Sequence, residues 1–252
     1  MALKLQLGGL TPDDDEKKAE LTEHLAELRT RLIRACIYLA IGMAVMYALY
    51  SPIYKTLAAP LGHVPLMFHS FTEPFFLKLQ IATVGGLILA APFVVLELWG
   101  FIAPGLTPGE RRGVHFVAPM SVVLFVMGVS CAYLILPMAM HWFMSYLVDI
   151  PNAVLYQNPL TYVVFVVKML LVFGLIFQLP VLLMFLGKVG IISSEMMVKY
   201  WRQIAVGLFT TAMVVAPSND PGTMLALAIP LTLLFFGSIW LVKLVEPKQI
   251  MP

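Results

Sequence analysis

The sequence predicts an all-α polytopic membrane protein with six transmembrane helices and both ends of the chain in the cytoplasm. Three observations predict it. Of 252 residues, 60% are hydrophobic and 12% charged, where soluble domains run near half apolar and a quarter charged. Six apolar runs are long enough, or nearly so, to cross a bilayer. The basic residues fall almost entirely on alternate connections between those runs. This composition excludes a water-soluble domain, a disordered chain, and collagen-like or disulfide-framework proteins. A net charge of +2 gives no footing for nucleic-acid binding.

The chain divides into a cytoplasmic N-terminal segment, 1–31, a six-helix transmembrane domain, 32–242, and a cytoplasmic tail, 243–252. In the first segment, Thr11-Pro12-Asp13-Asp14 reads as an N-cap, a proline at the first helical position and acids favoured by the helix dipole. Leu21, Leu25, Leu28 and Leu32 follow at helical spacing. They predict an amphipathic helix lying on the membrane surface before the chain turns inward. Glu27 and Arg31 stand at i and i+4, so a local ion pair is available to them.

The apolar runs are 32–50, 75–103, 114–136, 160–187, 204–216 and 224–242. A span needs about 20 residues. The second and fourth runs exceed that and must tilt or kink, with Pro92 and Pro180 as kink points. The fifth, with 13 residues, reaches about 20 Å at about 1.5 Å per residue, short for a span. A brief turn separates it from the sixth, so these two are expected to form a tight hairpin that does not fill the bilayer.

Orientation follows from charge. With the N-terminus inside, only Lys55, Lys78 and Lys168 lie outside, leaving 13 of the 16 Lys and Arg within, as the positive-inside rule requires. Residues 1–20 are acidic, and the first apolar run is too long and too late for a cleavable signal peptide. A prokaryotic plasma membrane is the expected location. Lys168 and Lys188 stand 20 residues apart, about 30 Å, and can snorkel to opposite headgroup layers. Gln178 then falls near mid-membrane, either as an interhelical packing bond or as a functional polar patch. Glu97, one to two turns inside the cytoplasmic end of the second run, reads as an interfacial carboxylate or a functional polar group.

Two connections are longer than turns. Segments 51–74 and 145–159 carry apolar residues such as Leu57, Leu61, Phe68, Leu147 and Leu155, and are expected to pack together as an outer cap. Ala82, Gly86 and Ala90 form a small-residue face on the second helix, suited to close internal packing. Cys36 and Cys131 read as small buried apolar residues. Thr107-Pro108-Gly109-Glu110 matches a capping box opening the third helix, and Asp220-Pro221 an N-cap for the sixth.

Nothing in the sequence points to catalysis. There is no H-E-x-x-H, no cysteine pair at zinc spacing, no G-x-S-x-G and no phosphate loop, and no cofactor or metal is implied. His63 and His69 share an outer loop without the spacing of a metal site. An alternative function class is a small-solute or ion transporter, with Gln178, Glu97 and Lys168 along its path. The run boundaries show no inverted repeat, which weakens it.

Seven segments occur in a telling order: HLAELRTRL (24–32), AAPL (58–61), EPFF (73–76), LWGFIAPGL (98–106), GERR (109–112), FGLIFQLPV (173–181) and LAIPL (227–231). Together they resemble TatC, the multispanning subunit of the twin-arginine protein translocase, over nearly the whole chain. The resemblance implies a concave, glove-like bundle and a receptor for twin-arginine signal peptides of folded precursors. It implies TatB-like and TatA-like single-span partners, a homo-oligomeric complex and translocation driven by the proton-motive force.

By that resemblance the signal-peptide contacts map to Glu27, Leu28, Arg29, Phe101, Glu110 and Arg112. Pro60 in the outer cap matches a functionally sensitive position, as does Asp220. Two departures stand out. The family's mid-membrane polar residue is commonly Glu, and here it is Gln178. Ser218 and Asn219 intervene where the family pattern runs from Pro closely to Asp. The physical chemistry agrees with the carry-over: two ligand guanidiniums can each grip a carboxylate bidentately. The flanking arginines keep such binding selective and modest.

Overall fold

The fold is described from a computed structural model covering residues 12–62, 64–102, 108–149, 154–216 and 220–246; side chains at 12–21, 23, 108–116 and 148–149 lie outside that description. The first helix, α1 (Pro12–Ala48), is one unbroken element of 37 residues. The expected turn from a surface helix into the span is therefore absent. From Asp13 to Ile41 no glycine or proline interrupts the backbone ladder, so nothing stops the helix. Helicity likewise passes through residues 31 and 32 without a break.

After α1 come α2 (Tyr50–Ala58) and a 3₁₀ turn over Ala59–Leu61 that holds Pro60. Gly62 closes this turn at φ 66°, a left-handed conformation that favours glycine. The long helices α3 (Glu73–Ile102) and α4 (Pro108–Ser145) follow, and α3 runs through Pro92 as a single element. The fourth span does break where expected. It consists of α5 (Pro159–Ile176) and α6 (Leu179–Lys188), separated by Phe177 and Gln178 just ahead of Pro180. Proline lacks the N–H the ladder needs and crowds the carbonyl four residues back.

Short α7 (Ser194–Lys199) leads into α8 (Trp201–Val215) and α9 (Pro221–Val245). The fifth span is short as expected, at 15 residues. The sixth is not: its 25 residues reach about 37 Å. Asp220 caps its start through the Thr223 amide at 2.8 Å, and the apolar pattern absorbs Pro230 and continues through Leu244. Among the described residues, five helices or helix pairs are long and apolar enough to cross a membrane, and α8 is a shorter apolar sixth. Lys168 lies nine residues past the start of its span at Pro159, roughly 14 Å in. Its side chain is exposed.

Packing centres on α3, α4 and α5, where Leu77, Ile81, Ala132, Leu136, Val163, Val166 and Phe173 are buried together. A second cluster of Trp99, Val117, Val181 and Met184 joins α3, α4 and α6. A third ties α7 and α8 to α9 through Met197, Leu208, Leu231 and Phe235. Glu246 closes the last joint: its carboxylate accepts the Ser194 amide at 2.8 Å and hydroxyl at 2.7 Å.

The small-residue face of α3 is internal, as expected. Ala82 and Ala90 are buried, and a Cβ on Gly86 would stand 2.6 Å from the backbone nitrogen of Met43. Gly42 meets the same crossing, where a Cβ would stand 2.6 Å from the Gly86 carbonyl. Backbone therefore lies against backbone where α1 crosses α3. The outward face of α1 keeps Ile33, Ile37, Ile41 and Cys36 exposed. Cys36 is thus not the buried residue expected, because α1 packs chiefly on α3 and leaves its far side uncovered. An apolar stripe of this length calls for lipid.

The two long connections do form a cap. Leu66 and Gln157 pair as an isolated parallel bridge, with Met67 donating to the Gln157 carbonyl and Gln157 to the Pro65 carbonyl, both at 3.0 Å. The Tyr162 hydroxyl, buried beneath, donates to the Leu57 carbonyl at 2.9 Å. Asn158 caps α5 and also donates to Glu73, at 2.9 Å, so one side chain joins the cap to the starts of α3 and α5.

Candidate functional site

The Gly42–Gly86 crossing fixes the register of two antiparallel helices. Arg31 stands eleven residues before the crossing on α1, and Glu97 eleven residues after it on α3. They therefore meet. Arg31 Nη1 donates to Glu97 Oε2 at 3.1 Å and approaches the Glu97 carbonyl at 3.5 Å. Its Nε and Nη2 both donate to Glu27 Oε1, at 3.0 and 2.7 Å, which realises the i, i+4 pair. One guanidinium thus spans two carboxylates from two helices.

Glu97 is the centre of this cluster. Arg34 Nη1 lies 3.8 Å from its Oε1, and the Tyr38 hydroxyl donates to the same oxygen at 3.4 Å. Exposure falls from 33% at Glu27 through 24% at Arg31 to 13% at Glu97. Two carboxylates against two guanidiniums leave the cluster near neutral. That balance is what permits charge so close to an apolar span. Glu97 is accordingly a carboxylate bridged to α1.

Gly100 lies beneath the Arg31 guanidinium, and a Cβ there would overlap Nη1. One turn along, His24 stacks on Phe101 with ring centres 4.4 Å apart. An open hollow of about 460 Å³, lined by Ala26, Glu27, Thr30, Arg31 and Arg34, adjoins the pair.

Among the expected ligand contacts, Glu27 and Phe101 come to this one end of the α1–α3 pair. Leu28 is on the same turn and exposed. Arg29 is exposed, two positions from Glu27 and so on another side of the helix, and forms no ion pair among the described residues. The side chains of Glu110 and Arg112 lie outside the described residues. Helix α4 begins at Pro108, where the capping box placed it, while Thr107 lies outside the description.

Arg31, Arg34, Tyr38 and His24 were not singled out from sequence as site residues. A signal was there: His24, Glu27, Arg31, Arg34 and Tyr38 recur at spacings of three and four, a polar stripe entering an apolar run.

Gln178 sits in the break between α5 and α6. Its Nε2 donates to the Ser121 carbonyl on α4 at 3.0 Å. The Ser121 hydroxyl is buried, receives the Trp99 indole N–H at 2.9 Å and donates to the Val117 carbonyl at 3.0 Å. Gln178 thus makes an interhelical bond within a chain linking α3, α4 and the fourth span. Asp220 and Pro60 hold positions at the opposite end, in the α9 cap and the 3₁₀ turn.

Residues 23–230 match the family described as Sec-independent protein translocase protein (TatC). The chain is 33% identical over 238 residues to the Sec-independent protein translocase protein TatC of Carboxydothermus hydrogenoformans, covering 93% of this chain and 97% of that one. Its identity to the TatC of a Synechocystis species is 35% over 234 residues, 92% and 91% of the two chains. A crystal structure of the twin-arginine translocase receptor TatC superposes with TM-score 0.73 at 33% identity, over 88% of this chain and 99% of that one.

Proposed function

The chain belongs to the TatC family of Sec-independent protein translocase proteins, multi-pass membrane subunits of the Tat translocase, and on that premise we propose that it is the receptor for twin-arginine signal peptides of folded precursors. One observation carries the reading: at one end of the α1–α3 pair, carboxylates from two helices already grip a guanidinium. Such carboxylates recognise arginine bidentately, a geometry lysine does not match.

In this reading Glu27 and Glu110 take the ligand's arginines. Leu28 and Phe101 contact its apolar part, and Arg29 and Arg112 border the bound peptide, their charge keeping its affinity modest. Glu97 supports Arg31, Gln178 keeps the polar joint between helices, and Pro60 and Asp220 shape the capped end. The N-terminal segment 1–31 and the tail 243–252 flank the span domain 32–242 on the cytoplasmic side of a prokaryotic inner membrane. TatB-like and TatA-like subunits and further copies of this chain complete the assembly, and the proton-motive force drives transport. The chain itself supplies binding and no covalent chemistry.

Glu27→Gln and Glu110→Gln test this. Glutamine serves a capping box nearly as well as glutamate, whereas a charge-assisted bond is about twice as strong as a neutral one. Each variant should keep expression and thermal stability but bind an Arg-Arg precursor more weakly. The double variant should bind hardly worse than the weaker single one, and a Lys-Lys precursor should lose little. Undiminished binding of the Arg-Arg precursor by Glu110→Gln would remove that residue from the receptor site and leave it as a cap.

A further inference from the structure

Arg31 occupies the place a ligand arginine would need. Two of its nitrogens engage one oxygen of Glu27, the more exposed carboxylate of the cluster. Its third nitrogen already reaches inward to Glu97, the most buried member, whose other oxygen receives Tyr38 and faces Arg34. The guanidinium lies over Gly100, the one residue type whose lack of a Cβ leaves that space open. A small shift along this floor would release Glu27 without unpairing Arg31.

We propose that Arg31 is a resident stand-in for the ligand: it pairs with Glu27 in the unliganded protein and withdraws onto Glu97 when an arginine of the signal peptide takes Glu27. The proposal rests on the receptor reading above. Exchange of one guanidinium for another keeps both carboxylates paired throughout, so neither is left as a lone charge beside the apolar span. It also sets a threshold that any ligand of Glu27 must overcome. An arginine side chain replaces the side-on pair, whereas lysine brings a single point charge that competes poorly for Glu27. A Lys-Lys peptide therefore leaves Arg31 in place.

The test uses the purified full chain in detergent and two labelled peptides. One carries consecutive arginines ahead of an apolar stretch, the other lysines at the same positions. Arg31→Gln should bind the Arg-Arg peptide about two- to five-fold more tightly, the range of a partly exposed ion pair no longer competing. It should gain no more than that for the Lys-Lys peptide, since displacing a resident competitor costs either ligand the same. Arg31→Lys, which keeps the charge but cannot span both carboxylates, should shift the same way by less. Glu97→Gln should act oppositely, weakening Arg-Arg binding by holding Arg31 on Glu27, and this loss should vanish in the Arg31→Gln background.

A parent protein that binds both peptides alike would overturn the receptor reading itself. A parent that discriminates, with Arg31→Gln and Arg31→Lys binding no more tightly, would overturn the stand-in alone. Weaker binding by Arg31→Gln would make Arg31 a positioning residue for Glu27 and overturn it too. So would a Glu97→Gln loss that persists without Arg31, since that loss would be general charge repulsion.

Discussion

Gly86→Ala is the smallest change that should separate α1 from α3. The added Cβ would stand 2.6 Å from Met43 N and 2.7 Å from Met43 Cα, and these are backbone atoms that no rotamer change can move. Ordinary contact begins near 3.4 Å, so the helices must part by about 1 Å. Overpacking of this kind costs roughly 1–3 kcal/mol. The consequence extends to the site. A rigid 1 Å displacement of α1 takes the 3.1 Å Arg31–Glu97 pair to about 4 Å, the limit of an ion pair.

Thermal unfolding of the detergent-solubilised protein should show a lowered midpoint for Gly86→Ala. Gly207→Ala and Gly237→Ala, where a Cβ would meet nothing within 4 Å, should show no loss. Gly42→Ala acts at the same crossing, so the double variant should fall short of the sum of the singles. A Gly86→Ala protein as stable as the Gly207→Ala control would refute the close crossing and the register that brings Arg31 to Glu97.

Three further outcomes are expected. Gln178→Glu should keep transport, since a protonated carboxyl can make the same bond to the Ser121 carbonyl. Gln178→Leu should weaken precursor insertion more than membrane accumulation, and full transport by it would make Gln178 a bystander. The Glu246 carboxyl lies below its usual 4.5 because the Ser194 amide and hydroxyl bond its charged form. A depressed pKa stabilises the fold above the ordinary value, and that contribution is lost as pH falls through the folded one. The α7–α9 tie should therefore hold above pH 4.5 and weaken below it, and amide exchange at Ser194 in parent and Glu246→Gln protein reads this. Reporters active only outside the cytoplasm should work when fused after Phe68 or Asn152 and stay silent after Gly109 or Glu195. Activity after Gly109 would reverse the orientation.

Composition and local pattern determined a good deal. Span number and order, the short fifth span, the break at Pro180, the Asp220 cap and the Glu27–Arg31 pair all depend on residues within a few positions of one another. Local rules of periodicity, capping and proline geometry reach that far. The same rules were over-read where a leucine stripe suggested a surface helix ending in a turn, because amphipathicity says which face is apolar and not where an unbroken ladder bends. They were also over-read at the sixth helix, which proved long enough to span.

Only the tertiary structure decided what meets what. Arg31 and Glu97 are 66 positions apart. They pair because two glycines let α1 and α3 touch, and equal distances from that crossing set the register. Gln178 finds the Ser121 carbonyl, and Ser194 finds Glu246, by the same kind of long-range fit. A sequence carries each partner's chemistry, but the pairing depends on the separation and register of packed helices, to which no local rule is sensitive.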